Sequence, residues 1–188
     1  FTNKENSIGG IYLVRDPRNI ITSLQNHFEL NKDEALKFML SEKKYLYDYY
    51  QTNDFSDFQF ISSWEKNYKS WTKQDIFPIK VIKYEELMNN TFETFKEIIL
   101  FIEKITKIKK IFIESKAKNS IQSTSFNKMK KIEQSKGFNE SVLSKNHSKK
   151  IPFFHLGPKN DWKKILNEDF IKNATLKLKP LLTELNYI

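Results

Sequence analysis

The chain has no cysteine, only four glycines and three histidines, and only two arginines among its 32 basic residues. Without cysteine, neither a disulfide framework nor a thiolate metal site can form, and His27, His147 and His155 are too scattered to suggest a metal site. Gly9, Gly10, Gly137 and Gly157 make no Gly-rich phosphate loop, and no GK[ST] signature is present. A nucleoside or shikimate-type kinase would need both. No apolar run approaches the roughly 20 residues that cross a bilayer, so the chain reads as soluble, and a cytoplasmic location is expected. Residue 1 is Phe rather than Met, and a strand follows almost at once. The expectation is therefore a fragment of a longer protein, with any signal or anchor lying upstream.

A length of 188 residues, with 39% hydrophobic and 14% aromatic content, suits one well-filled core, and a single domain over residues 1–188 is expected. The net charge of +9 favours an anionic partner of some kind. The lysines are spread over helices and loops, with local enrichment from Lys104 to Lys131, and solvated faces are their usual fate. Two non-catalytic readings stay open, a nucleotide-binding relic and a basic module for RNA. The latter predicts salt-dependent affinity for polyanions with no preference for an adenosine bisphosphate.

The stretch Gly9 to Ser23 carries the densest information. Ile11, Tyr12, Leu13 and Val14 form the short, nearly unbroken apolar run of a strand covered on both faces of a parallel sheet. Asp16 is placed to cap a helix and Pro17 to occupy its first position. Ile20, Ile21, Leu24 and Phe28 then recur at helical spacing, predicting a face packed on the sheet, with Arg15, Thr22 and Ser23 left free. A strand tip feeding a helix is a common phosphate site. Both arginines, Arg15 and Arg18, stand at this tip. A guanidinium grips a phosphate with a planar fork that an ammonium lacks; a structural ion pair with Asp16 or another acid is the competing use.

Arg15-Asp16-Pro17-Arg18-Asn19 with Ser23 eight positions after Arg15 resembles the 3′-phosphate-binding segment of the cytosolic-type sulfotransferases, which use 3′-phosphoadenosine 5′-phosphosulfate (PAPS). Asn19 stands where the family usually has Asp. The resemblance gives Arg15 and Ser23 the 3′-phosphate. Three further segments follow in the family's order. Tyr84-Glu85-Glu86-Leu87 is similar to its Tyr-Glu-Asp-Leu and implies contact of Tyr84 with the adenosine, the alternative being a strand-end tyrosine that fills space. Ser123 to Lys131 is similar to its Thr-Ser-Phe and Met-Lys-Lys helix, implying that Thr124 contacts the nucleotide and that the Phe126 ring lies against adenine; taken alone, Thr124 or Ser125 would simply cap a helix. Pro152 to Lys163 resembles the phosphate motif Arg-Lys-Gly-x-x-Gly-Asp-Trp-Lys, with Gly157, Asp161, Trp162 and Lys163 in register. His155, Leu156 and Asn160 depart from it. The two family positions that bring positive charge hold His155 and Leu156, leaving His155 a weaker cofactor candidate and Lys159 a possible substitute.

Between these segments, Asn31 with Glu34 predicts a capped helix to about Ser41, continued or loosely capped by the aromatic run Tyr45 to Tyr50. A turn is expected at Asn53 to Ser56, and Ile61, Trp64, Tyr68 and Trp71 predict a helix from about Phe58 to Thr72 with an aromatic core stripe. Pro78 to Leu87 reads as a strand ending in a turn. Asn90 with Glu93 predicts a helix start, Lys107 to Ala117 a further helix, Gln134 to Lys150 a loop, and Asn167 onward a last helix kinked at Pro180.

The resemblance implies an α/β fold: a mainly parallel sheet flanked by helices, related to the P-loop nucleoside kinases, with its N-terminal part lacking. It also implies transfer of a sulfuryl group from PAPS to a hydroxyl or amine of a small-molecule or glycan acceptor, with no nucleic-acid partner. The family's general base and phosphosulfate-loop lysine would precede Phe1, so no catalytic residue is expected within the chain.

Overall fold

A computed structural model of the chain describes residues 3–46, 58–109 and 111–188. In chain order its elements are β1 (Gly10–Val14), α1 (Pro17–His27), α2 (Lys32–Leu40), β2 (Tyr45–Leu46), β3 (Gln59–Phe60), α3 (Trp64–Thr72), β4 (Ile79–Lys83), α4 (Tyr84–Asn89), α5 (Thr91–Thr106), α6 (Glu114–Ser123), α7 (Phe126–Lys136), α8 (Trp162–Ile165) and α9 (Glu168–Glu184). The expected mixture of helices and parallel sheet is present. Among the described residues the parallel sheet has two strands, with β1 pairing β4 so that Val14 lies opposite Lys83.

Helices lie on both faces of this sheet. Tyr12 of β1 donates its hydroxyl to Asn67 Oδ1 of α3 at 2.7 Å, and burial, then Tyr68, pushes the Tyr12 pKa up to about 12. On the other face, Lys80 pairs with Glu97 of α5. Cover is uneven: Val14 is 2% exposed, whereas Ile11 is 45% and Leu13 53%. The apolar run of β1 is thus buried on one face only, not on both as expected.

The largest core lies beside the sheet, between helices. Ile21 of α1 packs with Ala35, Leu36 and Met39 of α2 and with Phe170 and Leu182 of α9, so the apolar face of α1 meets two helices instead of the sheet. Thr22, expected to be free, is buried as well, and its hydroxyl lies 2.7 Å from the Asn19 carbonyl oxygen.

The local start signals for the first two helices act as read. Asp16 accepts from the Arg18 backbone N–H at the start of α1, with Pro17 in the first turn, and Asn31 with Glu34 forms a complete capping box on α2. Others differ. Tyr45 and Leu46 do not extend α2, because they pair antiparallel with Phe60 and Gln59; residues 47–50 and the turn expected at 53–56 lie outside the described residues. That pairing also keeps Phe58 to Ser63 out of α3, which begins at Trp64 with Ser63 as its cap. Trp71, expected in the core stripe, is 41% exposed. α5 starts beside Asn90 without a side-chain cap. It stops at Lys107 in the left-handed conformation, and the Phe112 N–H is taken by Glu103 Oε1 at 2.9 Å, so the helix expected from Lys107 begins only at Glu114. The loop expected from Gln134 begins after Lys136 and is folded, with Ser144 buried beside a Leu143–Lys150 bridge. α9 continues through Pro180.

Leu182 is fully buried at the contact of α9 with α1 and α2. Leu182→Ala should cost about 2–5 kcal/mol, read as a lower urea midpoint at unchanged slope. A loss under about 1 kcal/mol would mean that this helical cluster is not the main core.

Candidate functional site at the carboxyl edge of the parallel strands

The β1–β4 register brings the first site pair together. Val14 and Lys83 are partners at the strand ends, so the next residues, Arg15 and Tyr84, emerge side by side where open α/β sheets place their ligands. The Arg15 guanidinium carbon sits 4.2 Å from the Tyr84 ring centroid, a cation–π distance.

The two arginines have divided the uses that the sequence left open. Arg18 is buried and forms the ion pair with Asp16 at 2.7 Å, while its guanidinium lies over the Trp162 ring at 4.0 Å. Among the described residues, Arg15 has no carboxylate partner. Its Nη2 makes two long contacts, 3.4 Å to each of the Gly157 and Asn160 carbonyl oxygens. Its buried Nε has no partner, the one such side-chain nitrogen or oxygen among the described residues.

A cavity of about 460 Å³ opens at this arginine, lined by Ser23, Tyr84, Phe126, His155, Gly157 and Asn160. Six of the seven sequence candidates therefore meet in one place, across as many as 142 positions of chain for Arg15 and Gly157. Thr124 is the exception. It sits at the C-terminal end of α6 with its hydroxyl turned back to the Ser120 carbonyl at 2.8 Å, and it does not line the cavity. Lys159 is exposed on the 3₁₀ turn Gly157–Lys159 and does not line it either. Among the described residues, Arg15 is the only Lys or Arg in the lining. A larger hollow of about 1140 Å³ beside β3 and α3 carries none of the motif residues.

Gly157 is needed for two reasons. Its φ is +55°, in the left-handed region, and a Cβ there would run into the Phe126 ring. Phe126 opens α7 and meets Phe154 edge-on at 6.0 Å. Phe153 and Phe154 are in turn held by Glu133 of α7, whose carboxylate accepts from their backbone N–H groups at 2.6 and 3.0 Å and from the Ser141 hydroxyl at 2.6 Å. Burial acts to raise the Glu133 pKa, but these hydrogen bonds and Lys130 hold it below the ordinary carboxylate value. Lys130 also donates to the His155 carbonyl at 3.1 Å.

Several of these residues escaped the sequence reading. Phe153 and Phe154 have no periodic signal, and Glu133 is one acid on a polar helix. His27 lies one turn beyond Ser23 on α1 and lines the same cavity, edge-on to Phe153 at 6.2 Å. Its spacing from Ser23 was the only available signal.

The fold and site define a mixed α/β protein with a glycine-backed, aromatic-walled cavity around an under-coordinated arginine at its strand ends. The chain belongs to the sulfotransferase domain family, whose model matches residues 3–185. No curated protein matches the chain. Among the described residues, no helix is long and apolar enough to cross a membrane.

Burial lowers the His27 pKa, against an opposing pull from Glu140. The folded imidazole therefore stays neutral where the unfolded one is protonated. The unfolded state binds more protons, and stability falls as pH drops below about 6.5. Thermal melts between about pH 7.5 and 5.5 should show the wild type losing more stability than His27→Gln. Equal losses would locate the acid sensitivity elsewhere.

Proposed function

We propose that this chain binds the 3′-phosphate and adenosine of PAPS in the strand-edge cavity, as part of a PAPS-dependent sulfotransferase. The observation that carries the reading is Arg15: a guanidinium fixed over Tyr84 with a buried Nε lacking an acceptor and only two long contacts on Nη2. A buried donor without an acceptor is costly, and a phosphate oxygen would satisfy it. Ser23 supplies a hydroxyl donor beside it, and Gly157 lets backbone approach the anion where a Cβ would not fit. Phe126 offers a ring face or edge for adenine, and Tyr84 holds Arg15 while contacting the adenosine. His155 adjoins the phosphate end, and Leu156 contributes no charge. Thr124 is left out of this assignment. When bound, PAPS supplies the sulfuryl group, which passes to a hydroxyl or amine of a small-molecule or glycan acceptor.

The family match over residues 3–185 supports one sulfotransferase-like domain, and β1–α1 with its parallel partner β4 is consistent with a P-loop nucleoside-kinase-like sheet. Binding by diffuse charge is the competing account, since the chain carries +9 overall. It is disfavoured because the cavity lining holds one Lys or Arg, while the lysines lie elsewhere.

Titration calorimetry with 3′-phosphoadenosine 5′-phosphate separates the two. Arg15→Ala should weaken binding by about 2 kcal/mol or more, roughly thirtyfold, whereas a solvated lysine such as Lys116, changed to Ala, should cost under about 1 kcal/mol. Arg15→Lys should recover little, because the fork and the ring stack are lost. Equal losses for Arg15→Ala and Lys116→Ala, or tighter binding to an RNA homopolymer than to the bisphosphate, would overturn the reading.

A further inference from the structure

Asn160 is one of the positions at which this chain departs from the family motif, and its side chain joins two parts of the site. It is 6% exposed and lies at the end of the 3₁₀ turn Gly157–Lys159. Its Nδ2 donates to the Asn19 carbonyl at 2.9 Å and to Ser23 Oγ at 3.1 Å, and its Oδ1 accepts from Thr22 Oγ1 at 2.5 Å. Its own backbone carbonyl is one of the two oxygens facing Arg15 Nη2.

The direction of these bonds matters. The Asn19 carbonyl determines the orientation of the amide, because the opposite one would set Oδ1 against that carbonyl oxygen. Both Nδ2 hydrogens are then committed, one to Asn19 and one to Ser23, and Ser23 Oγ is an acceptor in its bond with Asn160. The single Ser23 hydrogen is directed at the Asn19 carbonyl over 3.2 Å. That oxygen already accepts from Asn160 and, as the residue four back in α1, from the Ser23 backbone N–H, and Thr22 Oγ1 stands 2.7 Å from it. With both lone pairs engaged, the hydroxyl contact is the longest and weakest, and its hydrogen is easily released to a better acceptor.

We infer that Asn160 is a positioning residue that sets Ser23 as a hydrogen-bond donor into the cavity and holds Arg15 beside it, making a site matched to a sugar 3′-phosphate. The inference rests on the reading under Proposed function. An anion draws the Ser23 hydrogen away from Asn19 while Asn160 keeps the lone pair on the far side occupied. A carboxylate in place of this amide would do the reverse, accepting the Ser23 hydrogen and repelling the phosphate.

The test compares two nucleotides by calorimetry on the full chain, adenosine 3′,5′-bisphosphate and adenosine 5′-phosphate, which lacks the 3′ group. Asn160→Ala should weaken the bisphosphate about tenfold and leave the monophosphate within about twofold. Asn160→Asp should weaken the bisphosphate further, by about a hundredfold. In a Ser23→Ala background, Asn160→Ala should cost no more than about a further twofold, because the hydroxyl it orients is gone. Parallel loss for both nucleotides, or an undiminished Asn160→Ala effect without Ser23, would show scaffolding alone and overturn the inference. Should Asn160→Ala and Asn160→Asp fail to fold, Asn160→Gly, which restores the residue of the family motif and removes only the amide, carries the test: a bisphosphate-selective loss of about tenfold supports the inference, and no loss or an unselective one overturns it. A wild-type chain that binds neither nucleotide removes the proposed function as well, whereas wild-type binding indifferent to Asn160 removes this inference alone.

Discussion

The site depends on one buried carboxylate. Asp16 is 6% exposed and accepts from the Arg18 backbone N–H at 2.9 Å, from Arg18 Nε at 2.9 Å and Nη2 at 2.7 Å, and from Trp162 Nε1 at 3.1 Å. It therefore caps α1, pairs the arginine of the first turn and anchors α8 in one place. Its own backbone N–H donates to Glu85 Oε1 at 3.1 Å, and the second Glu85 oxygen accepts from the Tyr187 hydroxyl. Burial, then Glu85, pushes the Tyr187 pKa upward, so the phenol stays a donor. The beginning of α4, the end of the chain and the β1–α1 turn are locked together through two carboxylates. Breaking a buried pair leaves an uncompensated charge, at a cost of about 3–5 kcal/mol. Removing Asp16 would also take the cap from α1, the helix that carries Ser23.

This anchoring explains why two arginines so close in sequence serve different ends. Arg15 follows the last residue of β1 and leaves along the sheet edge; Arg18 is already inside α1, where its side chain folds back on the cap. Composition and local spacing made the pair conspicuous, and the competing uses, ion pair or anion grip, were both legible. The allocation was not, because it turns on Trp162 and Tyr187, which stack on and bond to Arg18 from more than 140 positions away. The cap, the capping box on α2 and the β1–α1 junction were readable because they are local. The face that α1 buries was not, since an apolar stripe fits a sheet or another helix equally well. The run Ile11 to Val14 misled in a similar way: its composition suits a strand covered on both faces, and Ile11 and Leu13 stand exposed.

The site shows the same division. Arg15, Ser23, Tyr84, Phe126 and Gly157 sit in contiguous motifs, and the cavity gathers them. Thr124 sits in such a motif too, yet at the end of α6 its hydroxyl finds the Ser120 carbonyl one turn back, the usual competition between a threonine side chain and nearby backbone. The residues that shape the cavity from behind, Glu133 through the Phe153 and Phe154 amides and Asn160 through Asn19 and Ser23, act over 20 and more positions. No single-segment pattern records them.

The electrostatics follow from how little charge the cavity holds. A net +9 suggests a strongly basic site, but among the described residues the lining contains Arg15 and no lysine, with aromatic rings forming much of the wall. Apolar walls lower the local dielectric and strengthen each remaining interaction, so one oriented guanidinium there outweighs several solvated ammonium groups. With His155 and Leu156 where the family's motif has Arg and Lys, a bisphosphate held here as proposed would meet fewer cations and rely more on the direction of neutral donors. Orientation must then come from the scaffold. The Asp16 cap fixes α1, and the Asn160 amide fixes the turn against it. Between them they hold the Ser23 hydroxyl, the Gly157 backbone and the Arg15 fork at one strand edge.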